Sequence, residues 1–181
     1  MLENYKNHVE ERLKQGIPPL PLNAEQVSDL VELLKSPPSG EENYLLDLIT
    51  NRTPAGVDPA AYVKAAFLTA LAKDETSSPL IDKQHATKLL GTMLGGYNVE
   101  SLISLLEDDE VGSLAADGLS KTLLMFNAKH DVIELAKNND NAKRVVESWS
   151  DGEWFTSKPK LPEVIKAIVF RVDGEINTDD L

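Results

Sequence analysis

Asp82-Lys-Gln-His-Ala-Thr-Lys-Leu-Leu-Gly-Thr-Met-Leu-Gly-Gly-Tyr-Asn98-Val-Glu-Ser-Leu-Ile-Ser-Leu-Leu106 carries two helical periods on either side of a glycine pair. Asp82 stands where a helix needs an acceptor for its free N–H groups, and Ala86, Leu89, Leu90 and Met93 follow at helical spacing. Gly95-Gly96 closes that helix. Asn98 then stands at the N-cap of a second, whose apolar face is Val99, Leu102, Ile103 and Leu106. The reading is a tight hairpin of two antiparallel helices.

Working outward, the same grammar repeats. Leu2, Tyr5, Val9 and Leu13 form one stripe that Gly16 ends, and Ile17-Pro-Pro-Leu-Pro-Leu22 is a stiff connector. Asn23 with Gln26 makes a capping box ahead of Val27, Leu30, Val31 and Leu34, a helix that Pro37-Pro38-Ser39-Gly40 stops. Tyr44, Leu45, Leu48 and Ile49 mark another. Asp58-Pro59 places a cap and an N1 proline before a face of Val63, Ala66, Phe67, Ala70 and Leu71.

Beyond the hairpin, a longer helix is expected from Val111 to Phe126, with Leu114, Ala115, Gly118, Leu119 and Thr122 on one side. Mid-helix Gly118 costs about 1 kcal/mol against alanine, and close approach of another helix is the expected reason. Short helices follow around Val132–Lys137 and Ala142–Trp149, the latter with Ala142, Val145, Val146 and Trp149 in register. Eight or nine helices result. The period then changes: Thr156-Ser-Lys-Pro-Lys-Leu-Pro162 reads as a linker, and Val164–Val172 as a β-branched strand with Lys166 and Arg171 on opposite phases. One strand makes no sheet, so the expectation is a chain that continues beyond Leu181.

Leu30–Leu34 aligns with Ala86–Leu90, and Gly40 with Gly96, at an offset of 56 residues, while Leu45 and Ile49 meet Leu102 and Leu106 at 57. Recurring antiparallel pairs suggest an α-solenoid of the HEAT kind, although any helical bundle produces similar coincidences.

The composition narrows function. With 181 residues and 41% apolar content the chain can fold around a real core, while 30 acidic against 18 basic residues leave a net charge of −12. That balance disfavours a general nucleic-acid surface. The absence of cysteine removes disulfides, thiolate metal sites and thiol nucleophiles. No secretory leader and no apolar run of spanning length occur, and the chain reads as a soluble cytoplasmic protein.

Phosphate-loop, dinucleotide, nucleophile-elbow and zinc-protease signatures are all missing. His8 and Glu11 share one helix face, a pair that could touch a metal but does not complete its shell. His85 and His130 lie near expected helix starts without a nucleophile or supporting acid nearby, and read as surface or capping residues. Asp173, Glu175, Asn177 and Asp179 alternate like calcium ligands, yet Thr178 occupies the position that needs glycine and a strand precedes the loop. Asn51-Arg52-Thr53 fits a glycosylation acceptor by accident of a helix-ending turn, and Asp108-Asp109-Glu110 is a solvated turn favouring the next helix start.

Particular strings are more specific than the period. Val31-Glu-Leu-Leu-Lys-Ser-Pro-Pro-Ser-Gly-Glu-Glu42, Leu45-Leu-Asp-Leu-Ile-Thr-Asn-Arg-Thr-Pro-Ala-Gly-Val-Asp58 and Ala61-Tyr-Val-Lys-Ala65 resemble the N-terminal region of the aconitase B family, bifunctional aconitate hydratases and 2-methylisocitrate dehydratases. Leu89-Leu-Gly-Thr-Met-Leu-Gly-Gly-Tyr-Asn98, Thr122-Leu-Leu-Met-Phe126 and Ser148-Trp-Ser-Asp-Gly-Glu-Trp-Phe155 continue the resemblance in order, and Gly174-Glu-Ile-Asn-Thr-Asp-Asp-Leu181 resembles the entry to that family's swivel domain.

The resemblance implies a mainly α fold: a HEAT-like helical domain over residues 1–157, then a linker and the first strand and turn of an incomplete swivel domain over 158–181. It implies an enzyme interconverting citrate and isocitrate through cis-aconitate in the tricarboxylic acid cycle. In that family a [4Fe-4S] cluster on three cysteines acts as Lewis acid, and none of those ligands is present here. No catalytic, cofactor or metal residue is therefore assigned, and the segment alone is expected to be inactive. Implied partners are the remaining domains of the parent, a homodimer and metabolic enzymes. Messenger RNA is implied for the full family and disfavoured for this acidic segment, and no membrane is implied.

A tricarboxylate passage against the rest of the enzyme would need a locally basic wall, for which Arg52, Lys64, Lys121, Lys129, Lys143 and Arg144 form the pool. The rival expectations are a free-standing HEAT-like adaptor and a small metal-assisted hydrolase built on His8.

Overall fold

A computed structural model of the chain describes residues 1–122, 128–156 and 161–167. Those residues are mainly helical, with ten helices and no strand. The chain divides into two compact units, Leu22–Lys158 and a second in which Met1–Pro21 joins the residues from Pro159 onward.

In the second unit, α1 (Leu2–Lys14) ends where Gly16 takes φ +72°. The proline-rich connector folds back on this helix. Tyr5 donates through its hydroxyl to the Leu20 carbonyl (2.7 Å), His8 Nε2 accepts from the Leu20 N–H (3.0 Å), and Arg12 Nε donates to the Pro18 carbonyl (2.9 Å). A segment with few backbone partners of its own thus has its polar groups satisfied by one helix face.

The unit Leu22–Lys158 begins with α2 (Ala24–Lys35), whose capping box is complete: Gln26 N–H donates to Asn23 Oδ1 at 2.9 Å, and Asn23 N–H to Gln26 Oε1 at 3.0 Å. All four expected apolar residues of α2 are buried. Next come α3 (Glu42–Asn51) and α4 (Pro59–Ala72), the latter with Pro59 at N1 and Asp58 accepting from Ala60 N–H at 2.7 Å. α5 (Lys83–Gly91) is capped by Asp82, which accepts from His85 N–H at 2.7 Å. Then follow α6 (Val99–Leu105), α7 (Gly112–Ser120), α8 (Ala128–Leu135), α9 (Asp140–Asp151) and a single turn, α10 (Glu153–Thr156).

Packing runs α2–α4–α5–α7–α9, with α3 beside α2, α6 against α5 and α7, and α8 beside α9. Leu30, Leu34, Leu48, Leu68, Leu90 and Leu102 are fully buried between them, each worth about 1.5–3 kcal/mol of burial. Where α5 meets α7, a Cβ added to Gly118 would lie 2.8 Å from the Gly91 Cα. The mid-helix glycine serves close helix contact, as its sequence position suggests.

Four expectations change. The helix expected from Val111 to Phe126 stops at Ser120, because Lys121 and Thr122 turn their N–H groups to the Gly118 and Leu119 carbonyls and the Thr122 hydroxyl takes the Gly118 carbonyl at 3.0 Å. Residues 123–126 lie outside the described set. On α4 the buried face is Ala60, Ala61, Lys64, Ala65, Phe67, Leu68, Leu71 and Ala72, so Ala66 of the expected stripe is exposed. Contact with α2 and α5 together requires a wider face than one stripe provides. Asn98 precedes α6 but does not cap it: its Nδ2 donates to the Leu90 carbonyl at 2.7 Å, tying α6 to the end of α5. Of the expected strand, Val164–Ala167 forms none, and the remainder lies outside the described residues.

Candidate functional site

Among the described residues no group of three His, Asp or Glu side chains could hold a metal ion. His8 is engaged by the Leu20 N–H, His85 sits half-buried in the first turn of α5, and His130 is exposed on α8. The calcium-like alternation at 173–179 lies outside the described residues. No helix among the described residues is long and apolar enough to cross a membrane.

The six basic residues proposed for a passage wall occupy five helices or their ends. Arg52 is exposed at the C-cap of α3, Lys129 on α8 and Lys121 at the C-cap of α7. Lys143 is exposed with Glu147 at 4.0 Å. Arg144 is held by Asp117 (Nη1 to Oδ1, 2.8 Å) and by the Ser113 carbonyl (2.6 Å). Lys121, Lys88 and Asp117 line one groove of about 470 Å³ along with Gly91 and Gly118, and Asp117 is also the carboxylate that pairs with Arg144.

Lys64 differs from the other five. It is 3% exposed, among alanines and leucines on the packed face of α4. Burial alone lowers its ammonium from an ordinary lysine value to about 8. The contrasting lysine is Lys83, whose Nζ lies 3.0 Å from Asp74 and 2.9 Å from Asp108. Those two carboxylates raise it, and Lys83 in turn holds Asp108 below the usual carboxylate range. Asp108 also accepts from the Glu110 and Val111 N–H groups, shaping the turn into α7.

A cleft of about 480 Å³ opens beside α4 and α6. Tyr62 and Tyr97 meet edge to face at its mouth, centroids 5.1 Å apart and planes at 76°. Ala65, Ala66 and Ala70 line it, and Thr69 Oγ1, donating to the Ala65 carbonyl at 2.6 Å, lies 2.7 Å from Ser101 Oγ. Glu75, Val99, Glu100 and, from the start of α8, Ala128 also line it. Sequence reading missed this pair of tyrosines. The available signal was their position: Tyr62 falls opposite the α4 core face, and Tyr97 follows the Gly95-Gly96 turn.

The cleft is positioned by one backbone contact. Gly56, before α4, forms an isolated parallel bridge with Gly96, before α6, and both have positive φ. The turn that carries Tyr97 is thereby fixed to the loop that leads into the helix carrying Tyr62. Among the described residues the cleft is lined by aromatic rings, small side chains and two carboxylate-bearing residues.

Residues 4–155 match the Aconitate B N-terminal domain family. The chain belongs to that family. It is 63% identical over 182 residues to Aconitate hydratase B of Pseudomonas aeruginosa, covering 100% of this chain and 21% of the relative. Against Aconitate hydratase B of Escherichia coli K12 the identity is 57%, with the same coverage, and against that of Helicobacter pylori it is 47% over 99% of this chain and 21% of the relative. This aconitase B N-terminal domain chain therefore spans about a fifth of the length of the curated relatives it matches.

Proposed function

We propose that this chain is the N-terminal interaction and substrate-access module of an aconitate hydratase B-type lyase acting in the cytoplasm on the tricarboxylic acid cycle, where citrate and isocitrate interconvert through cis-aconitate. The observation that carries the reading is identity that runs end to end at 63% against a relative of that name, over one fifth of its length. The serial packing of α2, α4, α5, α7 and α9 with companion helices beside them supports a HEAT-like superhelix.

The residues of this segment do not fit an iron–sulfur cluster, having no cysteine and, among the described residues, no trio of His, Asp or Glu. The cluster belongs to the part of the parent outside these 181 residues, and the segment alone is inert. Its partners in this reading are the remaining domains, a second copy and metabolic enzymes, while messenger RNA is a poor match for a segment of charge −12. The candidates for the passage wall are Arg52, Lys64, Lys121, Lys129, Lys143 and Arg144, of which Lys64 is buried on α4.

The test uses the full-length polypeptide. It should interconvert citrate and isocitrate, and the 181-residue segment should not. Replacing Arg52 or Lys121 with glutamate should lower kcat/KM most at low salt. A full-length chain without this activity rejects the assignment, and an unchanged salt profile rejects the passage.

A further inference from the structure

We propose that the Tyr62–Tyr97 cleft is the receptor for an arginine-bearing segment of the catalytic body, the part of the parent polypeptide outside these 181 residues. The inference rests on reading the chain as one module of a longer enzyme. Tyr62 and Tyr97 are 59% and 42% exposed, and Val57, beside Gly56, is 75% exposed. Two tyrosines held in the open, Tyr97 on the fixed turn and Tyr62 on α4, are the composition of an interface anchor, in which tyrosine and arginine are enriched.

The chemistry of the cleft selects a cation. Glu75 and Glu100 line it, no Lys or Arg does among the described residues, and no described ion pair engages either carboxylate. A guanidinium can lie over a tyrosine face and fork to a carboxylate in one pose, which an ammonium cannot. The alanine floor leaves room for the stem, and the Thr69–Ser101 contact joins the two helices that form the walls.

The same charges disfavour a second copy of this surface. A two-fold interface would bring both pairs of carboxylates together without a cation between them. With about four-fifths of each relative's length outside the matched region, the catalytic body is the nearest source of the missing positive charge.

The experiment places a photo-crosslinking phenylalanine analogue at position 97 of the full-length enzyme and maps the products by mass spectrometry. The expected product is an intramolecular link to a peptide outside residues 1–181 that contains arginine. Its yield should fall about tenfold in the Glu75→Lys/Glu100→Lys background, as loss of close charge pairing predicts, and much less in Glu75→Gln/Glu100→Gln. Circular dichroism of each variant verifies folding, and citrate–isocitrate interconversion by the same preparations scores the parent assignment separately. Links between two copies, links confined to residues 1–181, an arginine-free peptide, no link at all, or a yield indifferent to charge reversal would each overturn the proposal.

Discussion

Gly96 lies against Gly56 so closely that a methyl group on Gly96 would overlap the Gly56 carbonyl oxygen and crowd its Cα at 3.2 Å. This contact brings together two loops 40 residues apart; it needs the missing side chain of Gly96, whereas a Cβ at Gly56 would meet nothing within 4 Å and glycine there serves the positive φ that both residues adopt.

Gly96→Ala should therefore destabilise the Leu22–Lys158 unit by about 2–4 kcal/mol, combining left-handed strain with overpacking. Gly40→Ala is the matched control, having φ +88° and nothing within 4 Å of an added Cβ, and should cost only about 1–2 kcal/mol. Urea unfolding of the two variants should separate them clearly; equal losses would mean that the contact contributes nothing beyond its dihedral angles.

Lys64→Met should raise stability at neutral pH, by up to ~3 kcal/mol. The folded-state pKa is about 8, against 10.5 for an ordinary lysine. The unfolded chain holds the extra proton between those values, so stability climbs as pH rises from 8 to 10.5, and the full cost applies below 8. Methionine removes both the cost and the slope. Melting temperatures of the two proteins measured from pH 7 to 10.5 should converge, and parallel curves would contradict the buried-charge account.

Asp108→Asn and Asp108→Ala should behave differently. The asparagine oxygen can still accept from the Glu110 and Val111 N–H groups but no longer pairs with Lys83 as an anion. Because the Asp108 pKa is held below the ordinary value, its contribution is present above the unfolded pKa and lost as pH falls through the folded one. Asp108→Asn should flatten that acid limb in pH-dependent unfolding. Asp108→Ala should flatten it and lose about 1 kcal/mol more with the turn.

Asn23→Ala should cost about 1 kcal/mol, since it removes the side-chain acceptor for the Gln26 N–H at the start of α2 while the Asn23 backbone N–H that Gln26 Oε1 accepts from is kept. Thermal unfolding is the measurement. Asn98→Ala is the instructive comparison, because its amide supports the end of α5 instead of its own helix. Its loss should appear as faster amide exchange in the last turn of α5, with α6 changed less.

What the sequence made legible was local chemistry. The Asn23, Asp58 and Asp82 caps and the Gly16 stop depend on neighbours within a few residues, and each is found where the strings place it. The α4 face was not legible, because this helix is apolar around most of its circumference and periodicity cannot say which side meets two neighbours at once. Asn98 misled for a related reason: an N-cap position predicts an acceptor, while the Leu90 carbonyl that claims its amide is decided by how α5 ends. The tyrosine cleft needed the Gly56–Gly96 contact, which no spacing encodes, and the burial of Lys64 needed the packing of α4 to be known.

The Gly56–Gly96 bridge also restricts how this scaffold could be re-engineered. Surface loops are ordinarily the places where tags, affinity epitopes or whole guest domains can be spliced with little penalty, and the Gly95-Gly96 turn and the Pro54-Ala-Gly56 loop have the small-residue look of such sites. Here each serves as the other's abutment, so a graft at either one would pry them apart and loosen α4 and α6 together.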